Sequence, residues 1–176
     1  DEQRDGHGHF RVELPAVDPA DPSEDFQARA VREGRQAKEL ARLLLEGCGF
    51  TNIRESVKPR GTGILLNFVA EDSTGADWAF DVSGAFTSNR AGLRRTDTLW
   101  KSLGKAGVLH ESAAGIPLVL LTTDAPAKRT AGAQALAVMR GPNKPVFDLI
   151  ELLRAEDHER LHAYAKHGRA ARVSDD

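Results

Sequence analysis

The sequence has few residues of the kinds that build disulfides, thiolate metal sites or membrane spans. Its single cysteine, Cys48, cannot form an internal disulfide or a thiolate metal cluster. Because Cys48 follows Gly47 at the expected end of a helix, we expect it to be a small buried hydrophobe. Apolar runs such as residues 116–121 fall far below the roughly 20 residues that a membrane-spanning helix needs. We therefore expect no membrane insertion, and the lone thiol is typical of a cytoplasmic protein.

The sequence also lacks an excess of positive charge. Its formal net charge is -2, so any surface that binds nucleic acid must be local. A hydrophobic fraction of 40% over 176 residues is enough for one proper core. We find no internal repeat, heptad run or low-complexity tract. The chain is therefore predicted to have an N-terminal arm, residues 1–20, and a single domain, residues 21–176.

The domain is predicted to begin with a helix over residues 21–46. Asp21 can cap its free amides, and Glu24 stands at the capping-box position. Gly34 is expected to divide the helix into two pieces, and Gly47 and Gly49 to end it.

A meander of strands follows this helix. Segments 50–57, 64–70 and 78–83 have the apolar character of strands, and residues 71–75 form a hairpin turn rich in residues that tolerate tight bends. The rest is predicted as a helix over 96–109, a buried parallel strand over 116–122, a helix over 131–140, a segment over 146–153 and a polar helical tail from 158. This order predicts an α/β fold in which helices cover a mixed sheet.

The pattern from Gly34 to Thr123 resembles the PD-(D/E)xK, or restriction-endonuclease-like, nuclease superfamily. A leading helix carries Glu39, the second strand of a hairpin carries Asp81-Val82-Ser83, and a helix and a strand ending at Thr122-Thr123 follow. The resemblance implies a three-layer α/β/α domain with a central mixed sheet.

The resemblance also implies where a catalytic site would lie. Asp81 matches the acidic residue of the family's acidic-x-Lys triplet, Ser83 stands where the lysine is expected, and Asn67 stands where the first aspartate is expected. In active members, paired carboxylates hold Mg²⁺ against the scissile phosphate, and the lysine assists the attacking water. Here Asp81 and Asn67 are the expected metal ligands, and Lys101, on the following helix, is the candidate displaced lysine. Glu39 completes the expected catalytic set.

Two departures from the family pattern bear on activity. Asn67 lacks the negative charge that holds a hard cation, and Ser83 cannot supply a positive charge. A magnesium site would then need a further carboxylate ligand from Glu39, Asp72 or Asp77. Simpler interpretations also stand: Asp81 pairs with Arg94 or Arg95, Asn67 is a buried hydrogen-bonded amide, and Glu39 lies on a solvated helix face.

Basic residues concentrate beside the expected site. The residues proposed to contact nucleic acid are Arg90, Arg94, Arg95, Lys105, Lys58 and Arg60. The same cluster is also what a solvated helix face would show. Trp100 is expected in the core rather than as a stacking platform for a base.

The leading hypothesis is a nuclease-like DNA-processing domain from a restriction or DNA-repair system, acting with other domains or subunits. If active, it would be a magnesium-dependent endonuclease that hydrolyses phosphodiesters. The alternatives are a non-catalytic nuclease-fold module that binds DNA or proteins, and a purely structural domain.

Overall fold

The described part of the protein is a mixed α/β structure with four helices and a five-stranded sheet. The structure, a computed structural model, describes residues 26–84, 92–112 and 114–172, and residues 26–34 only as helical backbone. The helices are α1 (Phe26–Cys48), α2 (Thr96–Glu111), α3 (Ala131–Met139) and α4 (Ala155–His167). The strands are β1 (Thr51–Val57), β2 (Leu66–Glu71), β3 (Asp77–Ser83), β4 (Leu118–Thr122) and β5 (Asp148–Glu151). Short 3-10 helices, Gly92–Arg94 and Gly168–Ala171, precede α2 and follow α4.

The strands lie in the sheet in the order of the sequence, β1-β2-β3-β4-β5. β1, β2 and β3 pair antiparallel, whereas β4 is parallel to β3 and β5 is parallel to β4. This confirms the predicted meander, the parallel strand within 116–122 and the mixed sheet. The segment 146–153, to which the sequence assigned no type, contributes the edge strand β5.

The strand directions bring several loops to one end of the sheet. β1, β3, β4 and β5 run one way and β2 runs the other, so the segments after those four strands lie at the end where β2 begins. We call this the carboxyl end of the sheet. Its described residues are 58–65, 84, 92–95, 123–130 and 152–154.

Buried apolar side chains form two clusters on opposite faces of the sheet. One cluster joins α1 and α4 to Trp78 and Phe80 of β3, and the other joins α2 and α3 to Ala79. This division follows from strand geometry, because successive side chains point to opposite faces. Trp78 is fully buried and stacks on Tyr164 of α4 with ring centroids 5.5 Å apart. The aromatic pair fixes α4 against the sheet.

Helix α1 is continuous, so the predicted division at Gly34 is wrong. A glycine inside a helix costs only about 1 kcal/mol, and tertiary packing of the rest of the helix outweighs that cost. The predicted end is confirmed: α1 stops at Cys48, and Gly49 has a φ of +101° that glycine adopts without strain. The predicted arm and the caps Asp21 and Glu24 lie outside the described residues.

Cys48 is buried at the end of α1, as expected. Its side chain is 6% exposed, and burial raises the pKa of the thiol to about 11. At neutral pH the thiol is therefore protonated and unreactive.

Helix α4 begins at Ala155, earlier than the predicted start at His158. Glu156 and Asp157 occupy its first turn, where the helix dipole favours negative charge. Among the described helices, none combines the length and apolarity that crossing a membrane would require.

The turn between β2 and β3 is organised by a buried carboxylate. Asp72 is 3% exposed, and its Oδ1 accepts hydrogen bonds from the amides of Thr74 and Ala76 and from the Thr74 hydroxyl. Its Oδ2 accepts a hydrogen bond of 2.9 Å from the indole Nε1 of Trp78. The turn is also tied to α4, because the Ser73 amide donates to the carbonyl of Ala165. Asp72 therefore satisfies donors of both the turn and the core.

Candidate functional site

Asp81 lies near the end of β3 and faces α2. Its neighbours Phe80 and Val82 pack in the cluster formed with α1 and α4, so strand alternation directs Asp81 and Ser83 to the other face. Asp81 is 3% exposed. A carboxylate at such a position loses its hydration and needs a charged or hydrogen-bonding partner.

The partner of Asp81 is Lys105 of α2. The Nζ of Lys105 lies 3.0 Å from Oδ1 of Asp81. The lysine side chain is 36% exposed, so the ion pair lies at the boundary between core and solvent. Burial raises the pKa of Asp81, and the charge and hydrogen bond of Lys105 oppose that rise. A buried carboxylate with a raised pKa and one cationic partner is a frequent feature of functional sites.

The sequence hypothesis assigned the displaced lysine to Lys101, but the structure places Lys105 at Asp81. Leu99, Leu103 and Ala106 form the buried stripe of α2, and Ser102 is buried with them. Lys105 lies one turn after Ser102 and next to this stripe, whereas Lys101 is exposed. Lys105, expected from the sequence to contact nucleic acid, directs its ammonium group at the Asp81 carboxylate, and its side chain remains 36% exposed.

Asn67 holds β2 and β3 together at the point where their pairing ends. The register of the two strands runs from Glu71 opposite Asp77 to Phe68 opposite Phe80. Beyond that pair, Oδ1 of Asn67 accepts a hydrogen bond of 2.7 Å from the amide of Val82. The side chain thus replaces the next backbone hydrogen bond between the two strands. This agrees with the interpretation of Asn67 as a hydrogen-bonded amide.

Ser83 and Ser102 bring two hydroxyls together beside the ion pair. Their Oγ atoms lie 3.3 Å apart, one at the end of β3 and the other on the buried face of α2. Ser102 was not among the residues predicted from the sequence. Its spacing of three residues from Leu99 and from Lys105 was the available signal, because residues three or four apart share a helix face.

The other carboxylates named from the sequence are not brought to Asp81. Glu39 is exposed on α1, which packs on the opposite face of the sheet. Asp72 is occupied in the turn at the other end of β3. Asp77, the first residue of β3, pairs with Arg54. The structure therefore gives no support to these three residues as helpers of a metal site.

The oxygen donors near Asp81 do not fit a resident magnesium site. Mg²⁺ in proteins is bound through one or two carboxylates with waters and substrate phosphates. Here the single carboxylate, Asp81, is ion-paired with Lys105, and the amide oxygen of Asn67 already accepts a hydrogen bond. Across residues 26–84, 92–112 and 114–172, three or more His, Cys, Asp or Glu side chains nowhere group as metal ligands.

The carboxyl end of the sheet is rich in basic residues. Its described loops contain seven basic residues and one acidic residue, Asp124. The basic residues are Lys58, Arg60, Arg94, Arg95, Lys128, Arg129 and Arg154. Lys128 and Arg129 were not predicted from sequence, although loops after parallel strands commonly form ligand sites. Arg90 lies outside the described residues.

Three of these arginines are partly neutralised by acidic neighbours. Arg94 lies 3.9 Å from Asp124, and Arg95 lies 3.4 Å from Asp97. Arg154 contacts Glu156 at 2.8 Å, and it also reaches Glu151. By contrast, Lys58, Arg60, Lys128 and Arg129 are exposed and form no ion pair with any described residue.

The 3-10 helix that carries Arg94 is fixed to the end of β4. The buried hydroxyl of Thr122 accepts a hydrogen bond of 3.2 Å from the amide of Leu93 and donates to the carbonyl of Asp124. Gly92 has a φ of +58°, and a Cβ there would come within 2.4 Å of Oγ1 of Thr122. Only glycine fits this close approach, which places Arg94 and Arg95 at the carboxyl end.

Trp100 is on the surface, so its predicted place in the core is wrong. Its side chain is 56% exposed, although the adjacent Leu99 is buried. Consecutive helix residues point about 100° apart, so the neighbour of a core residue need not share its face. Trp100 therefore presents an aromatic surface beside Lys101.

Comparison of the chain with known proteins finds no relative. The chain matches no protein-family model, and no curated protein or solved structure matches it significantly.

Proposed function

We propose that the chain is a nuclease-like DNA-processing domain that binds DNA across the carboxyl end of its sheet. One observation carries this proposal: two loops there hold four exposed basic residues that form no ion pair with any described residue. Lys58 and Arg60 lie between β1 and β2, and Lys128 and Arg129 lie between β4 and α3. Cations without an acidic partner are free to neutralise phosphates, which supply most of the affinity of nonspecific DNA binding.

The position of the two loops supports one shared ligand. β2 and β4 are separated in the sheet by β3 alone, so the loops lie on either side of the strand that carries Asp81. Two strand spacings amount to roughly 10 Å, close to the width of a DNA groove. A duplex lying over the end of β3 could therefore contact both loops at once.

The order of elements supports the nuclease-like part of the proposal. A helix, a three-stranded meander, a helix and a parallel strand occur in the sequence of the restriction-endonuclease-like pattern. The separate clusters on the two sheet faces are what a three-layer α/β/α domain of that kind would have. The location of Asp81 on the third strand supports the proposal, because the family's acidic residue is expected on the strand after the first aspartate.

Trp100 supplies a second kind of contact with DNA, stacking on a base. An exposed indole next to a lysine can stack on an unpaired base while the lysine meets the phosphate, a combination common in single-strand binding.

DNA binding can be tested by removing the charges of one loop at a time. We expect Lys58→Gln/Arg60→Gln and Lys128→Gln/Arg129→Gln each to weaken binding of a labelled duplex about tenfold at low salt, since each removes two phosphate contacts. The measurement is fluorescence anisotropy. Lys144→Gln/Lys166→Gln removes the same charge from residues away from the carboxyl end and is expected to change affinity less than about twofold. Equal losses in all three variants would contradict the proposed surface.

Phosphodiester hydrolysis is a second candidate function, favoured by the contact between Asp81 and Lys105. A carboxylate and a lysine ammonium 3.0 Å apart resemble the acid and lysine of the nuclease family, with the lysine supplied from α2 instead of β3. The ammonium group could neutralise charge that develops on a phosphate. The donor set derived above offers one carboxylate, so we assign no step to a metal ion.

Hydrolysis can be tested separately from binding. If this second function holds, plasmid, single-stranded or branched DNA is cut, and parallel reactions with Mg²⁺, with Mn²⁺ and with EDTA show whether the cutting requires a metal ion. Asp81→Asn and Lys105→Gln are then expected to reduce cutting at least about 100-fold, whereas Lys144→Gln, at an exposed lysine away from the carboxyl end, retains it. Cutting that survives in Asp81→Asn would assign the activity to another site or to a contaminant. If the wild-type protein cuts none of these substrates, hydrolysis is excluded and only the DNA-binding function remains.

A further inference from the structure

An open cavity of about 500 Å³ lies along the edge strand β5, away from Asp81. Residues of β5, α4 and the 3-10 helix Gly168–Ala171 line it. This volume is within the range of about 300–1,000 Å³ typical of small-molecule sites. The charged residues of its wall are four arginines and three carboxylates: Arg140, Arg154, Arg160, Arg172, Asp148, Glu151 and Asp157.

The first of the carboxylates, Asp148, already has donors on both oxygens. Its Oδ1 accepts a hydrogen bond of 2.8 Å from the amide of Leu149. Its Oδ2 accepts hydrogen bonds from the hydroxyl of Tyr164 at 2.7 Å and from Nε of Arg160 at 3.1 Å. Asp148 is 3% exposed, so these internal donors replace water.

The other two carboxylates are occupied in the same way. Asp157 accepts a hydrogen bond of 2.6 Å from Nη1 of Arg160 and one of 2.7 Å from the amide of Glu151. Glu151 in turn accepts hydrogen bonds from the amide of Ala125 at 3.0 Å and from Nη1 of Arg154 at 3.3 Å. All six carboxylate oxygens of the wall are therefore engaged.

The guanidinium groups, unlike the carboxylates, have donors to spare. The Arg172 side chain is 10% exposed and forms an ion pair with Asp148, in which Nη1 lies 3.6 Å from Oδ1. This distance is too long for a hydrogen bond, and Nη1 has no hydrogen-bond partner among the described residues. Arg140 is exposed and forms no ion pair within the described part of the chain. Arg154 donates through Nε and Nη1 to Glu156 and Glu151, which leaves its Nη2 for a ligand, whereas all three nitrogens of Arg160 already donate to Asp148, Asp157 and the carbonyl of Leu149. The wall thus offers a ligand mainly donors and positive charge.

We propose that this cavity binds a small molecule through a phosphate group. Arginine guanidinium groups present planar pairs of donors that match the oxygens of a phosphate, and partial burial strengthens such charge-assisted hydrogen bonds. A purely structural network would account for Asp148, Tyr164 and Arg160, which hold α4 on β5. It does not include Arg140, which forms no ion pair with the residues that the structure describes, and it does not account for the open volume. This inference does not depend on DNA binding through Lys58, Arg60, Lys128 and Arg129, because none of these four residues lines the cavity.

The proposal can be tested with inorganic phosphate and adenosine monophosphate as probes, using ¹⁵N-labelled protein. Saturable amide shifts at Leu149, Ala163 and Ala171, with roughly millimolar or tighter affinity, are expected for at least one probe. Sodium acetate at the same ionic strength is expected to bind more weakly, since it has fewer oxygens and less charge. Tighter binding of the nucleotide than of phosphate would show that the whole cavity takes part, and equal binding would limit recognition to the phosphate group.

Arg140→Gln is the decisive variant because Arg140 makes no described ion pair whose loss would disturb the fold. It is expected to weaken phosphate binding about tenfold, the effect of losing one charge-assisted hydrogen bond. Arg35→Gln, at an exposed arginine on α1, is the matched control and should leave binding unchanged. Three results would overturn the proposal: no saturable shifts, shifts confined to residues 58–65 and 127–130, or equal binding by the two variants.

Discussion

Replacing Asp72 with alanine is expected to lower the free energy of unfolding by about 3–5 kcal/mol at pH 7. The substitution removes a buried acceptor of four hydrogen bonds and leaves the indole N–H of Trp78 without its partner. Each buried donor left unsatisfied costs about 1–3 kcal/mol. For a domain of this size, the loss corresponds to a fall in Tm of about 10 °C, measurable by thermal or urea unfolding.

The control for this prediction is Asp77→Ala on the same hairpin. The Asp77 side chain is 38% exposed and pairs with a similarly exposed Arg54, so its removal is expected to cost less than about 1 kcal/mol. If Asp72→Ala were as stable as Asp77→Ala, the account of the turn would be wrong.

Acid should reduce the cost of Asp72→Ala. Burial alone would raise the pKa of Asp72, but hydrogen bonds from Thr74, Trp78 and Ala76 outweigh it, and the pKa lies below its ordinary value. The stability contributed by the carboxylate is therefore present above the unfolded-state pKa near 4 and is lost as the pH falls through the folded-state pKa. The difference between the wild type and Asp72→Ala should be largest at neutral pH and should decrease below about pH 4.

Replacing Lys105 with methionine is expected to destabilise the protein by about 1–3 kcal/mol at pH 7. The change keeps the length and helix propensity of the side chain but leaves Asp81 buried without its cation. Because Lys105 is 36% exposed, water can replace part of the lost interaction, which keeps the expected cost below that of a fully buried pair. Lys101→Met, one turn earlier and exposed, is expected to change stability by less than about 0.5 kcal/mol.

A double-mutant cycle locates this effect at Asp81. In an Asp81→Asn background, Lys105→Met should cost less than about 0.5 kcal/mol, because no buried carboxylate remains. Urea unfolding of the wild type, the two single variants and the double variant gives the coupling energy. An equal cost of Lys105→Met in both backgrounds would contradict the ion pair.

The pH dependence of Asp81 should run opposite to that of Asp72. Burial raises the pKa of Asp81, with Lys105 opposing the shift. A group with a raised pKa contributes stability that is full below the unfolded-state pKa and is lost as the pH rises through the folded-state pKa. Asp81→Asn, which cannot ionise, should therefore gain stability relative to the wild type between acid and neutral pH.

Much of the fold is predictable because its signals are local. Glycines after residue 46 mark the end of α1, and the polar run 71–75 marks the hairpin. The parallel strand β4 could be anticipated because an apolar run covered on both faces favours a parallel position. The continuity of α1 through Gly34 could not be anticipated, because packing of the whole helix offsets the preference of one residue.

The candidate site was harder to predict because it depends on which side chains share a face. Asp81 and Asn67 were named from the family resemblance, but the hydrogen bond from Val82 to Asn67 depends on where β2 and β3 diverge. Which residues of α2 are buried decides that Lys105, and not Lys101, reaches Asp81. The same pattern decides that Trp100 lies on the surface. The buried face of α2 could have been predicted from the spacing of Leu99, Leu103 and Ala106. By contrast, the proximity of the loops after β1 and β4 could not be predicted without the order of strands in the sheet.

The most direct test of the proposed DNA-binding function is the salt dependence of affinity for a labelled duplex. The four cations at the carboxyl end that form no ion pair with a described residue predict that the logarithm of the association constant falls linearly with the logarithm of salt concentration, with a slope of about −3 to −4. Lys58→Gln/Arg60→Gln and Lys128→Gln/Arg129→Gln should each reduce the magnitude of that slope by about 2. No binding at low salt, or a slope that neither pair of substitutions changes, would contradict the proposal.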